Sequence, residues 1–182
     1  MGPVQDVTEQ TQYLTFYLAG EEYAIGILQV KEILEYDTLT KVPQTPPSIR
    51  GVINLRGSVV PVVDLAAKFG LPASPVTKRT CIVIVEVDLA GQRTVMGVLA
   101  DAVSQVMDLT AADIEAPPAF GTSVRVDYLQ GMGKVGKKFV LILDVDRVLS
   151  APELLAAEAL AAAEANRPPG NVTPDGEKEG SA

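Results

Sequence analysis

Arg56 has the clearest chemical potential in this chain. It stands in the turn Asn54-Leu55-Arg56-Gly57, between the apolar runs Gly51–Leu55 and Val59–Val63, where an arginine reaches out of a sheet. A guanidinium there offers a fork of donors to a carboxylate or a carbonyl, and arginine is enriched at interface hot spots. On these grounds alone a solvated turn charge explains the residue equally well. The other reactive residue types offer less. There is no histidine, which removes the usual general base near neutral pH and the commonest metal ligand. Cys81, the single cysteine, opens the apolar run CIVIV and reads as a small strand residue without a nucleophile's partner. Asp64 and Asp144 each precede a short helical stretch, so helix capping accounts for them better than a paired acid and base. Asp101, Asp108 and Asp113 lack the alternating spacing and the glycine of a calcium loop. Gly131-x-x-x-x-Gly136-Lys137 matches most of a phosphate-binding loop, yet Lys138 replaces the required hydroxyl and the strand-like FVLIL follows instead of a helix. A hairpin turn with exposed lysines explains those residues, and a nucleotide-binding enzyme is a disfavoured alternative. The expectation is a protein without catalytic residues, metal or cofactor.

Composition narrows the partners. The 182 residues carry a net charge of −8, and a field of that sign repels phosphate backbones and anionic membranes. Nucleic acid is therefore not expected as a partner. One cysteine cannot form an internal disulfide, and the start MGPVQDVTEQTQ lacks the basic and apolar regions of a signal peptide. Runs such as Val59–Val63 or Phe139–Leu143 are too short to span a bilayer. The expected location is the cytoplasm, with no direct membrane insertion.

The elements that must position Arg56 come in duplicate. Gly51, Val59, Val60, Val62, Val63, Asp64 and Leu65 recur eighty positions on as Gly131, Phe139, Val140, Ile142, Leu143, Asp144 and Val145. Ala19-Gly20, Gly26, Ile27 and Leu28 recur seventy-one positions on as Ala90-Gly91, Gly97, Val98 and Leu99. Two copies are too few for a solenoid, so two similar lobes and a cleft between them are expected. Strands are read over Tyr13–Leu18, Tyr23–Ile27, Gly51–Leu55, Val59–Val63, Cys81–Val87, Arg93–Leu99, Val103–Leu109, Val126–Lys134 and Lys138–Leu143. Ile27–Tyr36 is ambiguous: ILQV suits a helical turn, whereas KEILEY alternates as a strand does. Short helices follow Asp64 and Asp144. Many short strands and few helices give an all-β pair of small barrels. The expected division is a flexible arm over 1–12, a folded region over 13–151 with lobes at about 13–69 and 79–149, a helix over 152–166 and a disordered tail over 167–182.

The succession YLTFYLAGEEYAIGILQVKEIL, IRGVINLRGSVVPVVDLAAKFG, GVLADAVSQVMDL and YLQGMGKVGKKFVLILDVDRVL resembles the CheW chemotaxis coupling proteins, over about Tyr13 to Leu149. The NLRG-x-x-VP segment followed by DL is specific to that family and its relatives, the regulatory domain of the histidine kinase CheA and the coupling domain of CheV. The resemblance implies two five-stranded SH3-like β-barrel lobes around a shared apolar core, with short helices and a C-terminal helix. It also implies a non-enzymatic adaptor that couples chemoreceptor (methyl-accepting chemotaxis protein) cytoplasmic tips to CheA, in a flagellar or a non-flagellar pathway. Carried over residue by residue, a receptor-binding groove between the barrels would use Val30, Glu32, Ile33, Gly51, Asn54, Leu55, Arg56, Cys81 and Val103. The loop around Phe120 would contact the CheA regulatory domain. A homo-oligomeric scaffold built from barrel edges is a further alternative.

Overall fold

The computed structural model describes residues 10–43, 45–89, 91–117 and 126–149. Within them the chain forms β1 (Gln10–Leu18), β2 (Glu21–Gly26), β3 (Val30–Glu35), β4 (Ile49–Leu55), β5 (Ser58–Asp64), α1 (Leu65–Phe69), β6 (Cys81–Leu89), β7 (Gln92–Ala100), β8 (Ala102–Thr110), β9 (Ile114–Glu115), β10 (Leu129–Val135), β11 (Lys138–Leu143) and α2 (Val145–Val148). The ambiguous stretch resolves into both of its readings, a 3₁₀ turn at Ile27–Gln29 followed directly by β3. Strand β1 starts at Gln10, inside the segment expected as an arm, because Gln10 to Gln12 pair with Thr110 to Asp108 of β8. The C-terminal helix, the tail and most of the N-terminal arm lie outside the described residues.

The duplicated units keep their local structure but exchange hairpins. One sheet has the order β8-β1-β2-β11-β10-β9, and the other β3-β6-β7-β5-β4. The β1–β2 hairpin of the first unit thus joins the second unit's strands through a parallel β2–β11 pairing, and the β6–β7 hairpin joins the first unit's strands through a parallel β5–β7 pairing. The division into consecutive lobes at 13–69 and 79–149 is therefore corrected: each lobe draws on both halves of the chain. Apolar periodicity identified the strands, but it does not say which neighbour a strand chooses. The first sheet also has six strands instead of five, the sixth being the two-residue β9.

The exchange decides where the core sits. Leu14, Phe16, Leu18, Tyr23 and Ile25 of the first hairpin bury one face against Val83, Val85, Met96 and Val98 of the second. Leu65 of α1 and Val145, Val148 and Leu149 at α2 complete this shared core between the lobes. Each lobe adds a smaller core of its own, around Tyr13, Ala24, Val140 and Ile142 in one and Val60, Val62, Ile82 and Ile84 in the other. Strand β6 serves the shared core with Cys81, Val83 and Val85 and its lobe's interior with Ile82 and Ile84, which is why it reads as one unbroken apolar run. Asp64 and Asp144 cap α1 and α2 through carboxylates that accept from the Ala67 and Arg147 amides.

The matched glycines have a packing cause. At Gly51 a Cβ would lie 2.7 Å from the Thr40 carbonyl oxygen, because Thr40 bridges to Val52 beside β4. At Gly131 it would lie 2.8 Å from Ile114 Cγ2 and 3.0 Å from the Glu115 carbonyl oxygen, because β9 runs alongside β10. The extra pairing at the end of each sheet leaves no room for a side chain there.

Candidate partner-binding site

The residues expected to form a groove gather around β3, the free edge of the five-stranded sheet. Successive residues of a strand point to opposite faces, so they divide into two sets. On the side of the shared core, Ile33 sits opposite Val83 and Glu35 opposite Cys81. Ile33 is 45% exposed although its cross-strand neighbour is fully buried, so an apolar side chain stands at the margin of the core. Val30 and Val103 are half-buried against the same core, with Val103 held on β8 opposite Phe16. Cys81 is 8% exposed, and the Val103 backbone lies within hydrogen-bonding reach of its thiol. Burial pushes that thiol's pKa up, a shift the Val103 contact only reduces, so Cys81 is an apolar floor and not a nucleophile.

The second set lies at the other side of β3. Glu32 sits opposite Ile84 and forms an ion pair with Arg56. Arg56 occupies the left-handed region at φ 52°, followed by Gly57 at 89°, the two-residue turn that matches strand twist in a hairpin. Asn54 is exposed, and its carboxamide oxygen accepts from the Gly57 amide at 2.8 Å, which holds the turn closed. Leu55 packs into its own lobe with Tyr36, Leu39 and Ile53. Gly51 is buried beneath Thr40. The structure thus brings Val30, Ile33, Cys81 and Val103 together as one apolar strip and Glu32, Asn54 and Arg56 as a polar rim. Leu55 and Gly51 support that rim from within. Phe120 lies outside the described residues.

Two features escaped sequence reasoning. The Glu32–Arg56 pair joins residues twenty-four apart, with no local spacing to suggest it. Leu28, in the 3₁₀ turn, is 94% exposed, and the sequence pattern singles it out only as a repeat match. Gly131 to Lys137 form β10 and its turn into β11, a strand-turn-strand arrangement where a phosphate loop needs a strand, a loop and a helix. Among the described residues, no three Cys, Asp or Glu side chains gather as a metal would require, and no helix is long and apolar enough to cross a membrane.

Residues 12–153 match the model of the CheW-like domain. The chain belongs to the CheW-like family. It is 37% identical over 150 residues to the chemotaxis protein CheW of Klebsiella aerogenes, covering 82% of this chain and 88% of that protein. Over 146 residues it is 34% identical to the chemotaxis protein CheW of Helicobacter pylori, covering 80% of this chain and 85% of the relative. Among solved structures it resembles the scaffolding protein TtCheW of Thermoanaerobacter tengcongensis, with a TM-score of 0.71 and 32% identity, over 80% of this chain and 96% of that one. The pair of SH3-like β lobes expected from the sequence is the fold of this family, and its members are scaffold and adaptor proteins of chemotaxis.

Proposed function

We propose that this protein is a non-enzymatic, cytoplasmic adaptor that couples the tips of chemoreceptors to the histidine kinase CheA. Family membership supports the signalling role, and the strip of Val30, Ile33, Cys81 and Val103 supports the receptor contact. The observation that carries it is Ile33, a half-exposed apolar side chain on a free sheet edge, directly beside the shared core. A receptor helix lays its apolar stripe along such a strip, as helix-in-groove recognition requires. Arg56 and Asn54 stand at the rim to fix register through hydrogen bonds. Gly51 and Leu55 keep the β4–β5 hairpin in place and so act behind the contact surface. Phe120 is assigned to the contact with the CheA regulatory domain. No covalent bond changes; signal passes because one two-lobed body holds both partners through different faces.

Calorimetric titration of the protein with a receptor-tip coiled-coil fragment and, separately, with the CheA regulatory domain tests this function. Binding of both, each still possible in the presence of the other, is expected. Mutually exclusive binding, or no binding of either, overturns the adaptor role.

A further inference from the structure

A second depression adjoins the strip and carries the opposite sign from the protein as a whole. It has a volume of about 780 Å³ and is lined by Tyr17, Gly20, Lys78, Arg79, Asp101 and Ala102, among others. Two of its residues stand next to the strip along the chain, Ala102 before Val103 and Arg79 two places before Cys81. We propose that this depression takes a carboxylate-bearing segment of the same helical partner that lies on the apolar strip, with Lys78 and Arg79 as its specificity-determining contacts. This inference rests on the proposed receptor contact and extends it.

Charge points to that occupant. Asp101 is the one acid among the described residues of the lining, and its carboxylate is already engaged: Oδ2 accepts from the Ala19 amide at 2.8 Å and from the Ser74 hydroxyl at 2.8 Å. Lys78 and Arg79 are exposed side by side, and among the described residues neither has an ion-pair partner. Six other basic side chains, including Arg50, Arg93 and Lys138, are each matched to an acid. Two unmatched cations together on a chain of net charge −8 present a local field that attracts carboxylates and steers their approach.

The fold itself does not dictate this sign. The exchanged hairpins create a related depression of about 240 Å³ in the other lobe, where the β6–β7 hairpin meets the link between β2 and β3. That depression is lined by Glu86, Asp88 and Asp146, with Arg93 paired to Glu86 at 3.2 Å. One depression thus presents two unpaired bases and the other mostly acids. The basic depression adjoins the strip at Cys81 and Val103, and the acidic one adjoins it at Val30, which Gln29 of its lining directly precedes.

The test compares wild type with the double variant Lys78→Glu/Arg79→Glu, binding the receptor-tip fragment at low and at moderate salt. A neutral double variant, Lys78→Gln/Arg79→Gln, serves as control for folding, and melting curves accompany each. The charge reversal is expected to weaken receptor binding about tenfold or more at low salt and to flatten its salt dependence. The neutral pair is expected to fall between, with affinity for the CheA regulatory domain unchanged in all. Unchanged receptor affinity and salt dependence, or a loss confined to the kinase domain, overturns the proposal while the strip still stands if Ile33→Asp abolishes receptor binding. A wild-type protein that does not bind the receptor fragment overturns both.

Discussion

Arg56 and Glu32 form an ion pair although they belong to opposite margins of the five-stranded sheet. Glu32 lies on β3, the first strand in the order β3-β6-β7-β5-β4, and Arg56 in the turn at the end of β4, the last. The sheet curls until its two edges approach, and the pair ties them across the rim. Its side chains are 71% and 29% exposed, so it contributes little to stability, on the order of 0–1 kcal/mol.

Arg56→Glu is accordingly expected to leave the melting temperature within about 4 °C of wild type. It should nevertheless weaken receptor-tip binding by about tenfold or more, because a carboxylate would then replace a donor fork at the rim. Glu32→Gln, which keeps the arginine and removes only its partner's charge, should have the smaller effect. Thermal melts and calorimetric titration of both variants check this, and a loss of affinity that is larger for Glu32→Gln contradicts the role given to Arg56.

The glycines at the sheet ends make a sharper stability prediction. Gly51→Ala drives a Cβ against the Thr40 backbone, which can move only by giving up its pairing with Val52. A loss of about 1–3 kcal/mol is expected, and a similar one for Gly131→Ala beside β9. The two sites are in different sheets, so the double variant should lose about the sum. Denaturant unfolding measures all three; a Gly51→Ala variant as stable as wild type would mean that the Thr40 bridge yields freely.

Much of this fold was legible in the sequence, and the limit is physical. The matched pairs Gly51/Gly131 and Asp64/Asp144 report local constraints, a close backbone approach and a helix cap, that each residue type satisfies by itself. The alternation in Leu14, Phe16 and Leu18 likewise reports a half-buried strand. The hairpin exchange has no such local signature, because β2 beside β11 and β2 beside β5 bury the same residue types. The site divides in the same way. Arg56 announced itself by its place in a turn, while the Glu32 partner and the inward direction of Leu55 depend on how the sheet curls.

Glu22 links the fold to pH. Its carboxylate is largely buried and meets the Lys138 ammonium at 3.0 Å. Burial alone would raise its pKa, but the neighbouring groups, led by the Lys138 ammonium, hold it below the ordinary value of 4.5. A carboxyl group with a depressed folded-state pKa stabilises the fold above its unfolded pKa, and that contribution disappears as the pH falls through the lower, folded value. Glu22→Gln should therefore be less stable than wild type at pH 7, with the difference shrinking as the pH drops below about 4.5. Denaturant unfolding at a series of pH values measures the difference; a gap independent of pH would contradict the assigned ionisation.

The most direct test of the adaptor account is Ile33→Asp, read against both partners at once. Ile33 is already 45% exposed, so the substitution should leave the melting temperature close to wild type. Under an apolar partner helix, however, the new carboxylate would be desolvated with nothing to pair it. The account predicts that affinity for a receptor-tip fragment falls by tenfold or more, while affinity for the CheA regulatory domain and the melting curve stay as they were. Equal loss of both partners in a destabilised protein, or full receptor affinity in a stable one, would contradict it.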